Sequence, residues 1–400
     1  MKLLFALVFS TSIAILSSWT ISASSHFNFN VLDYGAIGNG KADDSEAFLK
    51  AWNDVCGATE DSPTLHAPVG KTYMLNPLKF QGPCKSKQVN FHLGGTLLAP
   101  KKDKWPSDIG VDKWVEFVDV EGLNLKGGGK FDAQGSLWWE NCVHKHCKRP
   151  ATLYFHNCNG ILVKEMKYVN SGMNHISVNE CNDVIISNIY ISAPDESPNT
   201  DGIDVSKSKN VLIQDSVIAT GDDCIAINNG SSNINIIGIT CGPGHGISIG
   251  SLGKDGKYNV VENVYVSNCF LKDTQNGVRI KTWQGGYGYA RNITFEKIIL
   301  KNAKNPIIID QYYTSFAYSR KNKGMAIKVS DVTYREVNGT SANEDAITLN
   351  CSQARCTNII LDHVSIKTTN SEKEAKALCQ NVEGESSFVV PSVPCLSKSH

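Results

Sequence analysis

The apolar positions of this chain come in short bursts. From about residue 115 onward an Asn precedes a short Ile/Val-rich run, then a turn, then a second short apolar run. The unit recurs at Asn159-Gly160-Ile161-Leu162-Val163, Asn182-Asp183-Val184-Ile185-Ile186, Asn210-Val211-Leu212-Ile213, Asn233-Ile234-Asn235-Ile236, Asn263-Val264-Tyr265-Val266, Asn292-Ile293-Thr294-Phe295 and Asn358-Ile359-Ile360-Leu361. Successive asparagines through the middle are 23, 28, 23, 30 and 29 residues apart. The runs alternate or are continuous, without the i, i+3, i+4 spacing of helices. A repeat of this length built from short strands predicts a solenoid. The expected fold is all-β, a parallel β-helix in which each unit is one coil and each strand bonds to its counterpart one coil away. A β-sandwich or barrel is the competing arrangement. Asn suits the tight turns, because it tolerates left-handed backbone and bonds its own main chain. Residues 44 to 56 read instead as a capped helix, placed to close an open end where unpaired strand edges would invite aggregation.

The N-terminus changes the compartment. One Lys precedes an apolar run to about Leu16, and small residues follow at Ser22-Ala23-Ser24-Ser25. That layout predicts a secretory leader over residues 1–24 and one mature domain over 25–400. An N-terminal membrane anchor is the alternative, but the run is short and broken by Ser10, Thr11 and Ser12. An exported chain makes disulfides plausible for its 13 cysteines. Short spacings suggest Cys351 with Cys356 and Cys379 with Cys395. Cys224 and Cys241 flank one strand-like segment, and Cys56 with Cys84 and Cys142 with Cys147 are weaker pairs. An odd count leaves a thiol over. Asn229, Asn292, Asn338 and Asn350 open N-x-S/T sequons and are glycosylation candidates. Lys plus Arg and Asp plus Glu are each 39, for zero formal charge. That argues against a broad nucleic-acid-binding surface, which needs a basic excess. Charged residues at 20% and hydrophobics at 41% describe a globular chain. No nucleic-acid partner, no membrane after leader removal, and a monomer are expected.

Coil registry supplies the chemistry. Asp201, Asp223 and His245 are separated by 22 and 22 residues. Coils of about 22 residues there stack them on one face, roughly 4.8 Å apart. Asp222 adds a carboxylate, and alternation in Arg279-Ile280-Lys281 turns both cations outward. Stacked carboxylates repel, and a retained proton relieves this. The protonated group is then poised as a general acid, and the others hold a water, the two-role logic of glycoside hydrolysis. The cations suit a substrate that carries carboxylates. A calcium site competes for clustered carboxylates, though His, Arg and Lys fit a calcium shell poorly. Asp204 and Asp215 read as solvated turn residues.

Four segments make the sequence recognisable: Asn199-Thr200-Asp201-Gly202-Ile203-Asp204, Gly221-Asp222-Asp223-Cys224, Gly242-Pro243-Gly244-His245-Gly246-Ile247-Ser248 and Arg279-Ile280-Lys281-Thr282-Trp283. In order and spacing they resemble the signature segments of plant polygalacturonases, and the resemblance covers nearly the whole mature chain. It implies a right-handed β-helix that hydrolyses α-1,4-galacturonan with inversion. Asp222 would be the general acid, Asp201 and Asp223 would activate water, and His245 would support the acid. Arg279 and Lys281 would bind a galacturonate carboxylate, and Tyr313 would line the same subsite. The Cys224–Cys241, Cys351–Cys356 and Cys379–Cys395 pairs also match the family. No cofactor or metal is implied, and the expected partner is pectic polysaccharide outside the cell, at the wall. The chain departs in Gln311-Tyr312-Tyr313-Thr314-Ser315-Phe316-Ala317-Tyr318, which lacks a cysteine many plant members carry. It also has Lys130-Phe131-Asp132-Ala133-Gln134-Gly135 where Ile-Asp-Gly-x-Gly is common. An exo-acting galacturonan hydrolase, a calcium-dependent pectate lyase and an inactive wall-binding homologue are the alternatives.

Overall fold

Ile203, Ile225 and Ile247 stand in direct register on three consecutive strands, and around that register the chain winds as a parallel β-helix. The computed structural model describes residues 27–108, 110–140, 147–314 and 326–398. The expected leader (1–24), Cys142 and part of the loop that lacks the family cysteine lie outside them.

Among the described residues two sheets run the length of the coil, one of 22 strands and one of eleven. Their pairings are parallel, which excludes the antiparallel sandwich. The eleven-stranded sheet carries the site. Its strands are β1 (Leu78–Gln81), β2 (Lys113–Val118), β3 (Ala151–His156), β4 (Ile176–Asn179), β5 (Ile203–Ser206), β6 (Ile225–Ile227), β7 (Ile247–Leu252), β8 (Asn276–Trp283), β9 (Asn305–Tyr313), β10 (Asp345–Asn350) and β11 (Lys376–Gln380). Strand alternation sorts these residues into two files. The inward file is Phe80, Phe117, Phe155, Val178, Val205, Ile227, Ile249, Ile280, Ile309 and Leu349, all buried in one core. Burying each such side chain contributes about 1.5–3 kcal/mol. The outward file starts at Lys79, Glu116 and Tyr154 and passes Ser177, Asp204, Ala226, Ser248 and Arg279 before Ile308, Thr348 and Leu378.

The repeating asparagines form a side-chain ladder on the turns. Amide Nδ2 atoms donate from Asn182 to Asn159, Asn233 to Asn210, Asn263 to Asn233 and Asn292 to Asn263, at 2.6–3.1 Å. Asn210 and Asn358 donate to Asp183 and Asp331 instead. Asn210, Asn233, Asn263, Asn292 and Asn358 all have φ of 54–58°, the left-handed region that Asn tolerates.

Helix α1 (Ser45–Gly57) covers the N-terminal end, burying Phe48, Ala51, Trp52 and Val55. Trp52 packs on Phe80 and Phe117 at 5.2 and 5.6 Å. Its cap differs from the expected one. The Asp44 side chain makes no capping bond to the helix. It accepts instead from the Ile37 and Gly38 amides at 2.6 and 3.1 Å, and so ties down the preceding loop.

The structure pairs Cys56–Cys84, Cys224–Cys241, Cys351–Cys356 and Cys379–Cys395. Cys147 is disulfide-bonded too, while Cys158, Cys181 and Cys269 are buried free thiols. Among the sequon residues Asn292 and Asn338 are exposed, whereas Asn229 and Asn350 are half-buried. No described helix is long and apolar enough to cross a membrane.

Candidate active site

The acids enter the wall just before β5 and β6. Asp201 lies two residues before Ile203 and Asp223 two before Ile225, and His245 has the same offset from Ile247. The in-register isoleucines therefore place all three at equivalent points on successive rungs. Main-chain bonds fix the level: the Gly202 amide donates to Asp223 O at 2.9 Å, and the His245 amide to Asp222 O at 2.7 Å. Coils approach closely here. A Cβ on Gly221 would lie 2.1 Å from Ser197 O. Gly246 adopts φ +88° directly after the histidine, a conformation glycine takes without cost.

The side chains then diverge. Asp222 turns to the imidazole, and His245 Nδ1 is 2.9 Å from Asp222 Oδ1. The Asp223 amide donates to the same oxygen at 2.8 Å, and Asn199 Nδ2 reaches Oδ2 at 3.2 Å. Asp223 is only 1% exposed. Arg279 donates to its Oδ1 at 2.6 Å, Ser248 to Oδ1 at 2.8 Å, and Lys281 to Oδ2 at 2.7 Å. The Arg279 Nε also donates to Ser248 Oγ at 2.9 Å. In the free protein the two cations thus neutralise Asp223, and neither is idle on an open face. Each keeps further N–H groups for a ligand, since guanidinium and ammonium carry five and three donors.

Tyr313 reaches the same corner. Its ring lies 5.4 Å from Lys281 Nζ and 5.4 Å from Trp283 in an edge-on contact. It arrives by register, because β8 and β9 pair Trp283 with Tyr313.

Charge and burial separate the carboxyls. Burial, then the charges of Asp222, Asp204 and Asp223, push Asp201 well above the ordinary carboxylate range, against Lys281. Burial also acts upward on Asp222, but the His245 bond and charge, Lys281 and the Asp223 amide outweigh it and bring it to about 2. Of Asp201 and Asp222, Asp201 is therefore the carboxyl whose surroundings favour the protonated form. Asp204 is a correction to the sequence reading. It is no solvated turn residue but stands in the outward file between Ser177 and Ala226. Burial, then Asp223 and Asp222, raise it to about 7, and its Oδ1 has no partner among the described residues. Asp215 does sit in a turn, with φ +49°.

Sequence reasoning also passed over Ser248, Asn199 and Arg149. The first two lie inside the quoted segments, and Ser248 is the register partner of Arg279 one coil below. Arg149, buried and bonded to Asn199 Oδ1 at 2.7 Å, carries no local signal.

Asp222, Asp223 and His245 each offer a donor atom within 4.8 Å of the others. A metal fits this set poorly, because both Asp223 oxygens already face side-chain cations.

Comparison with known proteins follows the same lines. The profile of glycosyl hydrolases family 28 matches residues 56–389. A protein described as "Probable polygalacturonase" from Arabidopsis thaliana is 51% identical over 375 residues, covering 92% of this chain and 81% of that protein. A polygalacturonase of Chamaecyparis obtusa is 43% identical over 366 residues, covering 89% and 70%. Among solved structures, the endo-xylogalacturonan hydrolase of Aspergillus tubingensis superimposes with a TM-score of 0.76 at 22% identity, covering 91% of this chain and 98% of that one. That likeness speaks for the fold.

Proposed function

The chain belongs to glycosyl hydrolase family 28, and from that premise we propose that it hydrolyses the α-1,4-galacturonosyl bonds of pectin outside the cell, at the plant cell wall. The observation that carries the reading is the pairing of Asp222 with His245 at 2.9 Å beside Asp201, on a wall backed by Arg279 and Lys281.

In this mechanism Asp222 protonates the glycosidic oxygen through Oδ2, which accepts a 3.2 Å bond from Asn199 and no other among the described residues. His245 Nδ1 faces Asp222 Oδ1, which leaves Oδ2 as the oxygen that carries the transferred proton. Asp201 takes the proton of the attacking water, and the anomeric carbon inverts. Substrate reverses the resting distribution: a glycosidic oxygen accepts from protonated Asp222, while a water donating to Asp201 favours its ionised form. Asp223, wholly engaged, anchors Arg279 and Lys281, whose free N–H groups grip the substrate carboxylate beside Tyr313. This narrows the expected role of Asp223 in activating water.

The raised proton affinity of Asp201 beside the lowered one of Asp222 favours one second reading, in which Asp201 is the acid and Asp222 the base. Either way the reaction is hydrolysis. Polygalacturonic acid should yield reducing ends without a new double bond that absorbs ultraviolet light, and chelator should leave the rate unchanged. An absorbing, chelator-sensitive product would identify a lyase, and binding without release of reducing ends an inactive wall-binding protein.

A further inference from the structure

Arg149 lies outside every signature segment, yet its guanidinium ties two neighbouring coils to the acid. It is 5% exposed. One terminal nitrogen donates to Gly172 O at 3.1 Å and to Pro198 O, and the other to Asn199 Oδ1 at 2.7 Å. We propose that Arg149 is a positioning residue: it locks the Asn199 amide with its N–H toward Asp222 and so tunes that carboxyl as a proton donor. The inference rests on the role of Asp222 proposed above.

The argument turns on the polarity of an amide. A guanidinium only donates, so the Asn199 atom facing it must be the carbonyl oxygen. The NH₂ group is then forced to the opposite side, where it meets Asp222 Oδ2 at 3.2 Å. Asn199 itself holds φ +54°, a left-handed turn that places its short side chain between the two partners. An N–H aimed at a carboxylate favours the ionised form, whereas a carbonyl aimed at it favours the protonated form. Arg149 also acts through its field: burial lowers its own proton affinity, and the charges of Asp222 and Asp201 raise it. Attraction is mutual, so the cation favours ionised Asp222.

The other groups facing Asp222 come from several elements. They are His245 and the Asp223 amide on Oδ1, Lys281 from β8, and the carboxyls of Asp201 and Asp204. None of these bonds Asn199 or fixes the sense of its amide. Loss of Arg149 frees the amide to turn and removes a cation. Both changes favour protonated Asp222, so the acid holds its proton more tightly and transfers it less readily.

The test is the pH dependence of kcat and KM on oligogalacturonate for Arg149→Met, Arg149→Lys, Asn199→Ala and the Arg149→Met/Asn199→Ala double variant. Arg149→Met is expected to lower kcat about 10- to 100-fold with KM within about threefold. Its alkaline limb should move up by about one pH unit. Arg149→Lys keeps the charge without the three-acceptor grip and should give part of that shift. Asn199→Ala should shift the limb in the same direction, and the double variant should add little to either single change. An unmoved limb in Arg149→Met, or additive losses in the double variant, overturns the inference. If Arg149→Met does not fold, Asn199→Ala and Arg149→Lys decide by the same limb. Turnover retained by Asp222→Asn would instead remove the acid assignment and leave the geometry of Arg149 in place.

Discussion

His245 and Asp222 face each other across one rung of the helix, with Nδ1 2.9 Å from Oδ1, although the residue stacked beneath His245 in register is Asp223. The doublet Asp222-Asp223 thus splits into a partly exposed acid and a buried anchor, because Asp222 turns to His245 while Asp223 is held by Arg279, Ser248 and Lys281. Asp222→Asn keeps the shape and removes the transferable proton. Its kcat should fall at least 10²- to 10⁴-fold, while affinity for oligogalacturonate, read by calorimetry, stays within a few-fold.

Lys281 has two duties, and its variants should show both. Lys281→Ala leaves Asp223 with one cation fewer in a site that is 1% exposed. Removing one partner of a buried pair costs about 3–5 kcal/mol, so the melting temperature should drop along with a rise in KM. Lys281→Ala combined with Asp223→Ala should be more stable than the sum of the single losses predicts. A rise in KM with no thermal change would show that the buried pair contributes nothing to the fold.

Asp204 makes stability depend on pH. Its folded value of about 7 lies above the ordinary 3.8. Between those values the folded state binds a proton that the unfolded state has released, so stability declines as pH rises through that window and is unpenalised below it. Asp204→Asn removes the titration. Its melting temperature should match the parent near pH 4 and exceed it by ~2–4 °C near pH 8. Equal melting curves at both values would place the proton elsewhere.

Product size should follow from where the acids sit. They enter at the fifth and sixth of eleven strands, and the outward file continues to Lys79 on one side and Leu378 on the other. At roughly 4.8 Å per strand the file spans ~48 Å, long enough for a polymer to extend both ways from the cut. The expected outcome is rapid loss of viscosity in polygalacturonate before much reducing sugar appears. Steady release of monomer at nearly constant viscosity would mean cleavage from chain ends.

Much of this was legible because the solenoid converts sequence spacing into height. The 22-residue intervals of Asp201, Asp223 and His245 are also those of the inward Ile203, Ile225 and Ile247, so core and site share one register. What stayed hidden needs contacts between distant coils. Asp223 meets cations 56 and 58 residues away, and no local pattern shows that they neutralise it. Arg149 spends its donors on backbone carbonyls and an amide up to 50 residues distant, partners without a sequence signature. Asp204 looked like a turn residue because it sits close to Gly202, yet β5 takes it up two positions before its end.

The most direct measurement compares Asp222→Asn and Asp201→Asn on a natural oligogalacturonate and on an aryl oligogalacturonide whose phenol departs without protonation. If Asp222 supplies the proton and Asp201 accepts one from water, the aryl substrate should restore most of the rate to Asp222→Asn and little to Asp201→Asn. Rescue of Asp201→Asn alone would exchange the two roles, and comparable loss on both substrates by both variants would contradict acid–base catalysis by this pair.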